Sequence, residues 1–139
     1  MSDEPAAPRR VPRPVVLAIH ADQVRQHGGA LGLRDEGLLD SALDVPVNRW
    51  SYEPDSDEAA LAAAYGFGLG RNHAFVDGNK RVAFQVMYVF LGLNGQRVEA
   101  AETEVVTLMM GVADGSVDEA ALAAWLREHV ADEGQVSVP

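Results

Sequence analysis

Apolar positions recur at helical spacing over most of the chain. From about Val15 to His27, Leu17 and Val24 face one side, joined by Ile19 and His20, and Gly28-Gly29 stops the predicted helix. Asp35 is a capping residue type and opens a second, short helix to about Leu43, with Leu38, Leu39 and Ala42 on one side. Pro46 to Pro54 is punctuated by proline at both ends and carries Val47, Trp50 and Tyr52, a pattern that predicts an extended flap or small hairpin. A third helix spans about Asp57 to Gly70, capped by Ser56 or Asp57 and crowded with small residues. Gly66, Gly68 and Gly70 each cost about 1 kcal/mol of helix propensity relative to alanine, so close packing against neighbours is expected to offset them.

The fourth helix, about Lys80 to Leu93, has a different pattern. Val82, Ala83, Phe84, Val86, Met87, Val89, Phe90 and Leu91 make it apolar nearly all round, as in a helix buried at the centre of a domain. Asn94-Gly95 ends it. A fifth helix spans about Ala101 to Ala113. A sixth starts near Val117, with Ser116 as cap, Glu119 at the capping-box position, and Leu122, Trp125 and Leu126 inward. Residues 1–14 and 133–139 read as flexible tails around one domain over 15–132. The expected fold class is all-α, a bundle around a buried central helix with one short extended excursion.

Composition narrows the picture. The chain has 139 residues, enough for one domain that buries roughly two-thirds of its unfolded surface. It has no cysteine, so disulfides and thiolate metal sites are excluded. The formal charge is −10 and no basic stripe runs outside one short motif and the N-terminal arginines, which argues against a nucleic-acid partner. An acidic body with a small basic site suits a small anionic ligand, or a basic peptide on the acidic surface. The longest apolar run, Val82 to Leu93, is interrupted by Gln85 and is too short to span a membrane. Val15 to Ile19, after Arg9, Arg10 and Arg13, is too short for a signal sequence, so a cytoplasmic protein is expected.

The candidate chemistry is concentrated in His73-Ala74-Phe75-Val76-Asp77-Gly78-Asn79-Lys80-Arg81, which contains the chain's single lysine. Asn79 is placed to cap the fourth helix, whose first amides lack intrahelical partners and whose dipole is positive there. Such helix ends bind phosphate. Lys80 and Arg81 add cations to a first turn that disfavours them, a cost a bound polyphosphate would offset. Asp77 could hold Mg²⁺ together with substrate phosphates, although an Asp-Gly pair is also an ordinary turn. His73 could take a proton from an attacking hydroxyl, although a lone histidine after a helix is more often a capping or surface residue. Phe75 reads as an anchor for the loop. His20, His27 and His129 have no comparable neighbours. The spacing Gly66-Phe-Gly68-Leu-Gly70 lacks the GxGxxG pattern and a preceding strand, and reads as helix packing.

This nine-residue stretch resembles the signature of the Fic/Doc superfamily, HxFx(D/N)(A/G)NKR in its Doc (death-on-curing) branch. Ile19-His20, Gly28-Gly29 and Gly32 to Leu43 are similar to flanking family segments, and coverage runs from about Val15 to Val130. The resemblance implies a Fic-like helical bundle with His73 as base, Phe75 as anchor and Asp77 as Mg²⁺ ligand. Gly78, Asn79, Lys80 and Arg81 would cradle the phosphates of ATP. Asn48, Arg49, Trp50, Ser51 and Tyr52 would form a flap that holds a target peptide by strand-like pairing. AMP-transferring members usually have glycine where Lys80 stands, so the resemblance favours a toxin kinase acting on a Ser/Thr hydroxyl, with elongation factor Tu as the family's known target. A nucleotide transferase and a catalytically silent binding module are the alternatives. The family's inhibitory pattern, (S/T)xxxE(G/N), has no match in the sequence, so a separate antitoxin protein is expected.

Overall fold

The computed structural model describes residues 7–132. In chain order they form α1 (Arg13–His27), α2 (Glu36–Tyr52), α3 (Glu58–Asn72), α4 (Asn79–Leu93), β1 (Gln96–Val98), α5 (Glu102–Asp114), α6 (Glu119–His129) and β2 (Val130–Asp132). The fold is all-α apart from β1 and β2, which pair antiparallel with Arg97 opposite Ala131. The short sheet therefore closes the C-terminal end of the chain onto the end of α4.

The centre is shared by α3 and α4. α3 packs against α2, α4, α5 and α6, and buries Leu61 to Gly66 without interruption. α4 buries Val82, Ala83, Val86, Met87, Phe90 and Leu91 while keeping a face that carries Lys80, Arg81 and Tyr88 outside. The glycines of α3 mark close approaches in three directions. A Cβ at Gly66 would lie 2.7 Å from Met87 Cγ on α4, one at Gly68 3.3 Å from Ala42 Cβ on α2, and one at Gly70 3.1 Å from Val112 Cγ1 on α5. Their poor helix propensity is the cost of letting three helices come this near.

The extended segment expected at 46–54 is instead helical through Tyr52. Asp35 caps α2 as anticipated, accepting from Leu38 N at 3.0 Å. The helix then runs through Pro46. An interior proline removes one backbone bond and costs about 3 kcal/mol in isolation. Here Leu39, Ala42 and Pro46 follow one another at helical spacing and all three are buried, so the apolar stripe carries the helix past its breaker. Beyond it, Trp50 packs on the core and Arg49 pairs with Glu119 of α6. The backbone groups of Asn48, Arg49, Trp50, Ser51 and Tyr52 lie within a helix, so these residues offer no edge for strand-like pairing; Tyr52 is 87% exposed.

Other boundaries shift for local reasons. α6 is capped by Asp118, which accepts from Ala121 N at 2.8 Å, and not by Ser116; Glu119 is committed to Arg49. Part of the stretch read as an N-terminal tail is packed. Val11 is buried and its amide donates to the Tyr65 hydroxyl at 3.2 Å. Arg9 exchanges two hydrogen bonds of 2.9 Å with the Asn94 side chain. The tail expected at 133–139, like residues 1–6, lies outside the described residues.

Candidate active site

The motif lies in the connection between α3 and α4, and that connection is held from several sides. His73 ends α3 in the left-handed conformation (φ 51°, ψ 47°), the only non-glycine with positive φ among the described residues. Arg34 stabilises that end. Its Nε donates to the His73 carbonyl at 2.7 Å and its Nη2 to the Asn72 carbonyl at 3.4 Å, placing a cation at the negative pole of α3. The segment around Arg34 runs beside the motif. Arg34 N and Asp35 N both donate to Ala74 O, Val76 N donates to Gly32 O, and Leu33 bridges Phe75 antiparallel.

Phe75 is 2% exposed and anchors the loop. Asn79 brackets it: Asn79 Oδ1 accepts from Phe75 N and Asn79 Nδ2 donates to Phe75 O, both at 3.0 Å. The Asn79 side chain is thus a staple for the loop and does not cap α4. The N-cap is Gly78, left-handed at φ 77°, and no side chain caps the helix. Val82 N makes the first intrahelical bond, to Gly78 O at 3.0 Å. The amides ahead of it form the positive, hydrogen-bonding end that suits an anion.

Asp77 turns toward the loop after α1, its Oδ2 accepting from Ala30 N at 3.2 Å. Gly29 stands there at φ 111°, a conformation that strains any side chain, and a Cβ would lie 3.1 Å from that oxygen. A cavity of about 770 Å³ opens over this arrangement, within the size range of small-molecule sites. His73, Asp77, Gly78, Asn79, Lys80 and Arg81 line one part of it, and Phe84, Tyr88, Val105 and Met109 supply an apolar wall between α4 and α5. Among the described residues no group of three His, Asp or Glu side chains could cage a metal. Asp77 alone fits Mg²⁺ only in the mode where substrate phosphates and water complete the shell.

The model of the Fic/DOC family matches residues 11–91, from buried Val11 through most of α4. The chain belongs to the Fic/DOC family. "Protein kinase doc" of Escherichia phage P1 is 30% identical over 112 residues, covering 81% of this chain and 88% of that protein. "Toxin Doc" of Mycolicibacterium smegmatis is 44% identical over 75 residues, covering 52% of this chain and 57% of that protein. Both place this Fic/DOC protein with the Doc-like branch.

Every motif residue singled out in the sequence lines this same cavity, apart from the anchor, Phe75, and Ala74, both of which are buried. The residues from Asn48 to Tyr52 do not line it. Two residues that hold the Fic/DOC motif were not singled out for that role. His20, 4% exposed, stacks on Phe75 and hydrogen-bonds Asp77 O. Its position between Val16 and Val24 on the buried stripe of α1 was the available signal. Arg34 had no local signal, because its partners lie more than thirty residues away along the chain. No helix among the described residues is long and apolar enough to cross a membrane.

Proposed function

We propose that this Fic/DOC protein is a Doc-like toxin of a toxin–antitoxin pair, transferring the γ-phosphate of ATP to a Ser/Thr hydroxyl of a protein target. The observation that carries the reading is the sharing of one cavity by His73 and the uncapped amide end of α4, with Lys80 and Arg81 on its first turn. The names of the two Doc relatives support it.

In this reading the α4 amides, Lys80 and Arg81 bind the phosphate oxygens, and the apolar wall of Phe84, Tyr88, Val105 and Met109 accepts the nucleobase. His73 takes the proton of the target hydroxyl as the hydroxyl oxygen bonds to the γ-phosphorus. The bond from that phosphorus to the β–γ bridging oxygen breaks, and ADP leaves with the electron pair. Phosphoryl transfer of this kind depends on positioning and on neutralising charge. Mg²⁺, held by Asp77 together with the phosphates, would supply part of that neutralisation. Inhibition is assigned to a separate antitoxin, in keeping with the toxin name of the mycobacterial relative.

The test is incubation with Mg²⁺, purified elongation factor Tu and ATP labelled at the α or the γ position. Label retained on the target from the γ position, and lost with His73→Ala, is the expected result. Label retained from the α position would mean nucleotide transfer. Label from neither position, or modification unchanged in His73→Ala, would overturn the assignment.

A further inference from the structure

The most enclosed polar side chain near the motif belongs to α1, outside the motif itself. His20 is 4% exposed. Its ring lies parallel to Phe75, with centroids 4.0 Å apart and planes at 14°. Its Nε2–H donates to the main-chain carbonyl of Asp77 at 2.9 Å. The acceptor is a carbonyl, so the proton must be on Nε2.

This bond fixes a peptide plane. The described residues contain no cis peptide bond, and in a trans peptide the N–H points opposite to the C=O. The Asp77 carbonyl is drawn inward to the buried ring, so the Gly78 N–H points outward, on the side where Gly78 lines the cavity. No acceptor among the described residues takes that amide. Gly78 then adopts its left-handed conformation and α4 starts. Successive amides around a left-handed residue at a helix start form an anion-binding concavity. The Gly78 side of this turn lies close to the ring: a Cβ there would be 3.9 Å from His20 Cδ2.

We infer that His20 is a positioning residue that aims the Gly78 amide at a bound polyphosphate, by tethering the Asp77 carbonyl from behind. The inference rests on the polyphosphate reading of the cavity and adds a residue of α1 to it. His20 touches no ligand. It acts through one peptide plane, and its donor group matters separately from its ring.

Two variants separate those contributions. His20→Phe keeps a ring over Phe75 and removes the donor. His20→Gln removes the ring and keeps an amide donor of similar reach. The probe is inorganic tripolyphosphate, its dissociation constant measured by titration calorimetry on the full chain beside each variant's thermal midpoint. His20→Phe is expected to bind about tenfold more weakly, the factor of one hydrogen bond to a charged group, with a fall in midpoint no larger than that of His20→Gln. His20→Gln is expected to restore most of the affinity even if its midpoint falls. Unchanged affinity in His20→Phe overturns the inference. So does weakening in both variants that merely follows loss of stability. Should His20→Phe fail to fold, the wild-type Gly78 amide resonance decides: a large shift on adding tripolyphosphate supports the tether, and an unmoved resonance overturns it. A wild-type chain that does not bind tripolyphosphate sinks the polyphosphate reading itself, and the inference with it.

Discussion

Arg34 reaches across to the end of α3 and donates through Nε to the main-chain carbonyl of His73 at 2.7 Å. A residue from one loop thus holds the backbone of the proposed base in another. The left-handed conformation of His73 is unfavourable for a side chain with a Cβ, and the guanidinium is the group positioned to stabilise it. Arg34→Ala is expected to lower stability by about 1 kcal/mol and to reduce the turnover of target modification more than the affinity for nucleotide. Turnover and nucleotide binding measured side by side check this; equal losses in both would contradict it.

Asn79 satisfies both backbone groups of Phe75. Asn79→Ala leaves an N–H and a C=O without partners in a partly buried loop, which is expected to cost about 2 kcal/mol. Urea denaturation would show the midpoint falling with an unchanged slope. Asn79→Asp keeps the acceptor for Phe75 N but sets an oxygen against Phe75 O, so it should recover less than half of the loss.

Two helical glycines are predicted to respond in opposite directions. A methyl group at Gly66 would overlap the side chain of fully buried Met87, so Gly66→Ala should cost about 1–3 kcal/mol despite better helix propensity. Nothing lies within 4 Å of a Cβ at Gly92, so Gly92→Ala should stabilise α4 by up to about 1 kcal/mol. Thermal midpoints of the two variants test the pair.

Asp57 caps α3 and receives two hydrogen bonds from Arg127 of α6, at 2.6 and 3.0 Å. The Arg127 hydrogen bonds hold its carboxyl below the ordinary value of 3.8, against the opposing effect of partial burial. A depressed folded pKa means stability that is fully present above the unfolded value and lost as pH falls through the folded one. Acid unfolding should therefore include a contribution from Asp57 below its ordinary range. Removing Arg127 (Arg127→Ala) should shrink that contribution, read as a flatter stability curve in acid.

Much of the fold could be read from local pattern. Asp35 caps the helix that it was expected to cap, and of the two candidates Ser56 and Asp57 it is Asp57 that caps α3, because a cap bonds an amide only three residues away. The motif residues came together because they occupy one short turn whose spacing fixes their side. α2 was misread because Pro46 is a strong local signal against helix, while the opposing term, burial of Leu39, Ala42 and Pro46 in a stripe packed on α3, exists only once the bundle forms. β1 and β2 were missed because each is three residues long and lies some thirty residues from its partner.

The sequence by itself determined the helical class, the Asp35 and Asp57 caps, the small-residue face of α3, and the set of groups that surround the start of α4. The tertiary structure alone decided how that set is held: His20 pairs with a carbonyl 57 positions away, and Arg34 with one 39 positions away. Propensity and periodicity act over one or two helical turns, so they report which residues sit at a helix end. The orientation of a peptide plane there depends on whatever the packed chain brings up behind it.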